Sequence, residues 1–138
     1  MDDLEDFVTA ARVDDAVFAL RPDYRALLVA VDGVSPGPTD HDSEALLAAA
    51  EAAAQKALLD CPVEQRPHVA AWREAYRAFG AKPQRTRNSV EALLRRVDSG
   101  LPRTNRLTDI YNSVSVLHQI PIGGEDLLRV DVAGDHAP

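Results

Sequence analysis

The chain has a single cysteine, Cys61, so no internal disulfide can staple it, and a lone thiol suits a reducing cytosol. No apolar run reaches the ~18 residues that a membrane span requires. The opening "MDDLEDF" is acidic where a secretory signal would be basic and then apolar. The expected setting is cytoplasmic, with no membrane partner. Common catalytic signatures are missing as well: there is no G-x-S-x-G elbow, no H-E-x-x-H helix, no Walker loop and no G-x-G-x-x-G. The four histidines, His41, His68, His118 and His136, lack the spacing of metal ligands. Neither a metal nor a cofactor is expected.

What is present is enough for one globular domain. Apolar residues make up 46% of the 138 positions and charged residues 27%, which supports a single core and argues against a disordered chain. The expected division is an acidic lead-in over 1–15, a folded domain over 16–132 and a frayed tail over 133–138. Charge is unevenly spread. From Arg73 to Arg106 there are nine basic residues against three acidic ones, while the rest of the chain holds six basic and nineteen acidic, for a net charge of −7. Such an acidic whole is unlike a general nucleic-acid binder. The basic strip within it fits either a solvated surface or a specific, salt-sensitive phosphate contact.

Periodicity organises the rest. Ala26 to Val31 is a short, almost continuous apolar run ending at Asp32-Gly33, which predicts a central β-strand covered on both sides. "SPGPT" reads as loop. "DHDSEALLAAAEAAAQKALLD" predicts a helix capped by Asp42 or Ser43, and a second helix runs from about Pro67 to Phe79. Trp72, Tyr76 and Phe79 share one face of that helix and are expected in the core. Gly80 suits the position just past its end, and Pro83 prevents resumption. Asn88, with Glu91 three residues on, predicts the cap of a third helix whose buried stripe is Val90, Leu93, Leu94 and Val97. Arg95 and Arg96 near its end complement the helix dipole. "TDIYNSVSVLHQI" fits a helix better than a strand, with Thr108 or Asp109 at its start. Asp109 and Asn112 stand one helical step apart, and Glu125 and Asp126 follow the Gly123-Gly124 pair on a tight loop.

The blocks "AYRAFGAKP", "RNSVEALLRR", "LPRTNRLTDIYNSVSV" and "IPIGGEDL", in that order, resemble the B3/B4 domain of the phenylalanyl-tRNA synthetase β subunit, in the manner of the free-standing proteins that carry that domain alone. The resemblance runs from about Val17 to Val130 and is dense from Trp72 to Leu127. It implies an α+β fold, with a layered β-sheet packed against helices. It also implies binding of tRNA or aminoacyl-tRNA and hydrolysis of mischarged aminoacyl-tRNA in trans. Asp109, Asn112, Pro121 and Asp126 match the family's late block in place. The family's pocket threonine falls on Tyr111 and its histidine on Gly123, so the pocket is expected to take a different amino acid or ligand. The family pattern continues past Pro138 and includes a further pocket glutamate there, so the domain is expected to be C-terminally partial.

Under the resemblance, Glu125 and Asn112 are the catalytic candidates. Asp109, Tyr111, Gly123, Gly124 and Asp126 are the substrate-binding ones. Arg85, Arg87, Arg95 and Arg103 would meet tRNA phosphates. Two other readings stand beside it: an RNA-binding module without catalysis, and a protein-interaction or small-ligand domain.

Overall fold

The longest helix forms where alanine follows a capping aspartate. The computed structural model describes residues 2–130, and in it α3 runs His41–Ala57. Its cap is Asp40, two or three residues before the expected Asp42 or Ser43. The Asp40 carboxylate accepts from the Ser43 amide at 2.8 Å, and the Asp40 amide donates to Ser43 Oγ at 2.9 Å. That reciprocal pair is a capping box closed by serine. Two short helices precede it, α1 (Asp2–Ala10) and α2 (Asp15–Leu20). Three follow, α4 (Pro67–Ala78), α5 (Ser89–Leu94) and α6 (Arg106–His118). Single 3-10 turns lie at Val63–Gln65 and Leu127–Arg129.

The helix ends follow local chemistry. After α4 the Ala81 amide donates to Tyr76 O at 2.8 Å and the Gly80 amide to Arg77 O at 3.1 Å, with Gly80 at φ +89°. This is a Schellman ending, which needs the left-handed backbone that glycine adopts without cost. Asn88 caps α5 as expected, its Oδ1 accepting from the Glu91 amide at 3.1 Å. α6 starts earlier than Thr108 or Asp109, because Asn105 Oδ1 accepts from the Thr108 amide at 2.9 Å and captures the first turn.

The core lies between α3 and α6, which pack along each other, and α5 closes one side. Leu47, Ala50 and Ala54 of α3 cluster with Val116 of α6, Val90 and Leu94 of α5, and Val69, Val97 and Leu101. Each leucine or valine fully buried there contributes about 1.5–3 kcal/mol. Leu93, expected within the stripe, packs partly buried at its edge.

Two expectations are corrected. The layered β-sheet of an α+β fold is not formed: the described chain is helical, and no strand or sheet occurs among the described residues. Ala26 to Val31 forms no regular element and pairs with no strand, with Leu27 at 88% and Val29 at 71% exposure. A strand is stable only when its amides and carbonyls meet a partner ladder. The alternating stretch 114–118 that would offer one is taken into α6. The second correction concerns the aromatics. Trp72 and Tyr76 are half-buried and Phe79 is exposed; none joins the core cluster. They continue a ladder from Phe18 through Tyr24 to Trp72, Tyr76 and Phe79, with successive ring centroids 6.3, 6.1, 6.3 and 5.0 Å apart. The ladder clasps residues 18–24 onto α4, and α4 buries Val69 and Ala75 instead. The tail expected over 133–138 lies outside the described residues.

Candidate functional site

The late block splits into a buried half and an exposed half. Asp109, in the first turn of α6, is fully buried. Its Oδ2 accepts from Thr39 Oγ1 at 2.6 Å, its Oδ1 from the Thr104 amide at 2.9 Å, and its backbone carbonyl from Ser113 Oγ at 2.7 Å. Asp109 thereby ties the loop before α3 and the turn before α6 to the helix itself. Arg106 reinforces the same joint: its amide donates to Gly37 O at 3.1 Å and its guanidinium to Ser35 O. These bonds commit the Asp109 carboxylate to the interior.

Tyr111 and Gly124 are brought together. A Cβ on Gly124 would come within 3.2 Å of Tyr111 Cε2, so the ring lies against the glycine backbone, which no larger residue would allow without displacement. Gly123 has nothing near it. Asp126 is occupied as the cap of the last 3-10 turn, accepting from the Leu128 amide at 3.0 Å. Asn112 is half-buried and Glu125 exposed, and neither side chain has a hydrogen-bond partner among the described residues. The loop therefore presents an open carboxylate at Glu125 directly after Gly124, which is backed by Tyr111, on the surface. The concavity between α1 and residues 28–30 is lined by Leu4, Val8, Leu28 and Val29 and includes none of these groups.

The arginines also divide. Arg85 sits in the turn closed by its own amide and that of Thr86 on Lys82 O, is exposed, and has no ion pair among the described residues. Arg77, Lys82 and Arg96 are likewise exposed and unpaired among them. Arg103 is engaged: its Nε and Nη2 donate to the two Glu44 oxygens at 2.9 and 2.8 Å, and its Nη1 to Glu51. Its hydrogen bonds to Glu44 and Glu51 raise the affinity of Arg103 for its proton, and the bond that Glu44 accepts from Arg103 holds its carboxyl below its ordinary range. Two carboxylates thus neutralise that arginine.

Arg87 and Arg95 converge on Glu91, whose side chain is 2% exposed. A third guanidinium, from Arg73 on α4, reaches the same carboxylate with Nη1 3.1 Å from each oxygen. Glu91 and Arg73 were not among the site residues expected from sequence. The four-residue step from Glu91 to Arg95, which meet at the end of α5, carries the signal for the first. Nothing local marked Arg73, eighteen residues away.

No group of three or more His, Cys, Asp or Glu side chains able to hold a metal occurs among the described residues. No helix among them is long and apolar enough to cross a membrane. No curated protein and no solved structure matches the chain. Residues 71–136, a little under half of the chain and spanning both the arginine segment and the late block, match the family model of the B3/4 domain, so the resemblance read from the sequence blocks is shown over that stretch.

Proposed function

We propose that this chain binds aminoacyl-tRNA through its basic strip and hydrolyses mischarged aminoacyl esters in trans, in a cytoplasmic setting and with residues 16–132 as the working unit. The observation that carries the reading is the B3/4 match, which takes in both the arginine-rich segment and the Asn112 to Asp126 block. Arg85, Arg87 and Arg95 meet the phosphates. Arg103, held in place by Glu44 and Glu51, is the fourth arginine of this set.

An aminoacyl ester is already activated, so hydrolysis asks chiefly for orientation of the ester and of one water. The Gly123-Gly124 backbone, backed at Gly124 by Tyr111, and the Asn112 amide orient the aminoacyl group. Glu125 holds the α-ammonium group or positions the water, which adds to the carbonyl carbon as the ribose oxygen leaves with a proton. The tyrosine narrows the space beside Gly124 and so biases the choice of aminoacyl side chain.

A second reading, RNA binding without turnover, is favoured by one observation: among the described residues, Asn112 and Glu125 have no hydrogen bond that holds them in a common geometry. Incubation with a panel of aminoacyl-tRNAs, paired with filter binding at two salt concentrations, separates the possibilities. Deacylation above buffer supports hydrolysis. Salt-dependent binding without deacylation supports the second reading. Absence of salt-dependent binding overturns both and leaves a protein-interaction or small-ligand domain.

A further inference from the structure

Glu91 is a buried carboxylate with more cations than it needs. Arg73 Nη1 alone stands 3.1 Å from both oxygens, so one guanidinium already reaches the whole carboxylate. Arg95 Nε adds a bond to Oε2 at 3.1 Å, and Arg87 Nε stands 3.4 Å from the same oxygen. Arg95 also lies 3.5 Å from Glu64, whose side chain is half-exposed and so counts for less. Three guanidinium groups therefore share one buried anion and one solvated one. An excess of positive charge remains at a place shielded on one side by protein, where like charges are screened less than in water.

The donors are in surplus as well. Arg87 and Arg95 use only their Nε groups toward Glu91, and both side chains reach solvent. Asn88, next to Arg87 in the chain and the cap of α5, holds a further donor. Its Oδ1 accepts from the Glu91 amide, which fixes which way the side-chain amide faces, and its Nδ2 is buried with no partner among the described residues. Turning the amide over would set an NH2 group against the Glu91 N–H, so the orphan cannot be removed by exchanging the two atoms. A buried donor left without an acceptor costs about 1–3 kcal/mol. What this cluster lacks is an anion with several acceptor oxygens.

We propose that Arg73, Arg87, Arg95 and Asn88 form a seat for a phosphate group, with Glu91 as the internal strut that holds the guanidinium groups in place. Arg87 and Arg95 present their outward N–H groups to the phosphate oxygens. Arg73 contributes charge from the far side, and Asn88 Nδ2 gains its acceptor. The strut explains why a carboxylate belongs at the centre of a phosphate site: without it three arginines would repel one another and disperse. The seat follows from the donors alone. Only the source of the phosphate, a polynucleotide backbone, rests on the tRNA-binding reading.

Two arms test this. In the first, inorganic pyrophosphate is titrated into the whole protein while the arginine Nε–H and asparagine side-chain signals are followed by NMR. The expected result is a saturable shift of Arg87, Arg95 and Asn88 with a dissociation constant of about 1 mM or tighter, lost in Asn88→Asp. That variant keeps an oxygen to cap α5 but replaces the orphan donor with a charged acceptor, so its fold is retained. No saturable shift in the wild-type protein, or an unchanged one in Asn88→Asp, overturns the seat.

In the second arm, filter binding compares tRNA affinity of the wild type, Asn88→Asp and Arg87→Gln across salt. A weaker complex, with a salt slope lower by about one for Arg87→Gln, makes the tRNA backbone the source. Equal affinity for all three, with pyrophosphate still bound, makes a free phosphate compound the source and keeps the seat. If the wild type binds no tRNA at all, the tRNA reading falls, and the pyrophosphate arm still decides the seat.

Discussion

Arg73 on α4 places its Nη1 3.1 Å from both carboxylate oxygens of Glu91 on α5, a charge pair that joins two helices at the boundary of the core. Glu91 is nearly inaccessible while Arg73 retains 13% exposure, so the pair is buried on the acid's side. Taking a carboxylate out of water costs several kcal/mol, which the surrounding guanidinium groups must offset. Removing either partner leaves the other's desolvation unbalanced.

Glu91→Ala is therefore expected to cost about 3 kcal/mol of folding stability, because it strands Arg73 and lets the arginine groups repel one another. Arg87→Ala, at a half-exposed group 3.4 Å away, is expected to cost less than about 1 kcal/mol. Urea unfolding with unchanged slopes measures both. Equal losses for the two variants would contradict the ranking.

Asp109 stands where sequence reasoning placed a substrate ligand, and its bonds give it a fold-holding task. Asp109→Ala orphans the Thr104 amide and the Thr39 hydroxyl together, and about 2–4 kcal/mol is expected to be lost. The discriminating variant is Thr39→Val, which removes one of those bonds and leaves the Asp109 carboxylate itself in place. If it lowers stability in part and leaves aminoacyl-tRNA deacylation per folded molecule unchanged, Asp109 acts on the fold; a selective loss of deacylation would place it at the ester.

Gly123 and Gly124 separate cleanly. A methyl group at Gly123 meets open space, whereas at Gly124 it presses on the Tyr111 ring at 3.2 Å. Gly124→Ala is expected to shift the Tyr111 ring resonances and to lower deacylation or aminoacyl-tRNA affinity several-fold, while Gly123→Ala leaves the ring signals in place. Stability should change by under about 1 kcal/mol in either case, since the loop is exposed. Identical spectra for the two variants would show that the ring is not seated on Gly124 in solution.

Acidification acts through the caps. The Asp40 carboxyl is held below its ordinary value of 3.8, chiefly by the Ser43 amide and further by the Ser43 hydroxyl and Arg106. Glu44 is lowered from 4.5, chiefly by its bond from Arg103. A group whose folded value is depressed contributes fully above its unfolded value and loses that contribution as pH falls through the folded one. The thermal midpoint is thus expected to hold steady from neutral pH down to about 5 and to fall below about 4. Asp40→Asn retains a capping oxygen without the charge, so its curve should be flatter in the acid limb; a curve parallel to the wild type's would remove Asp40 as a source.

Legibility tracked the range of the interaction. The Asn88 cap, the Gly80 ending and the Val90, Leu94 and Val97 stripe depend on neighbours within a turn or two, and a linear pattern displays them directly. Ala26 to Val31 has strand composition, but a strand is a property of two segments, and composition reports one. The period of the α4 aromatics shows that they share a face but not which face turns inward; there α4 buries Val69 and Ala75, and Val69 joins the core cluster. At the candidate site the juxtaposition of Tyr111 with Gly124 needs a chain reversal after His118, and that of Arg73 with Glu91 needs two helices to dock. Neither leaves a periodic trace.

That chain reversal supplies the last test. Gln119 ends α6 in the left-handed region at φ +57°, where a residue with a β-carbon is strained by about 1 kcal/mol, while its Oε1 accepts from Arg66 Nε at 2.8 Å. Glycine removes the strain and the bond together. A bond from a charged donor contributes about 1.5–3 kcal/mol when intact, and partial exposure of both side chains places this one at the lower end. Gln119→Gly is therefore expected to be neutral within about 1 kcal/mol, and Gln119→Ala, which keeps the strain and loses the bond, to be clearly destabilising. In an Arg66→Ala background there is no bond left to lose, so Gln119→Gly should become stabilising by about 1 kcal/mol. A double-mutant cycle by urea unfolding reads the sign directly: if Gln119→Gly has the same effect with and without Arg66, the side-chain bond does not hold the turn that carries the late block past Tyr111.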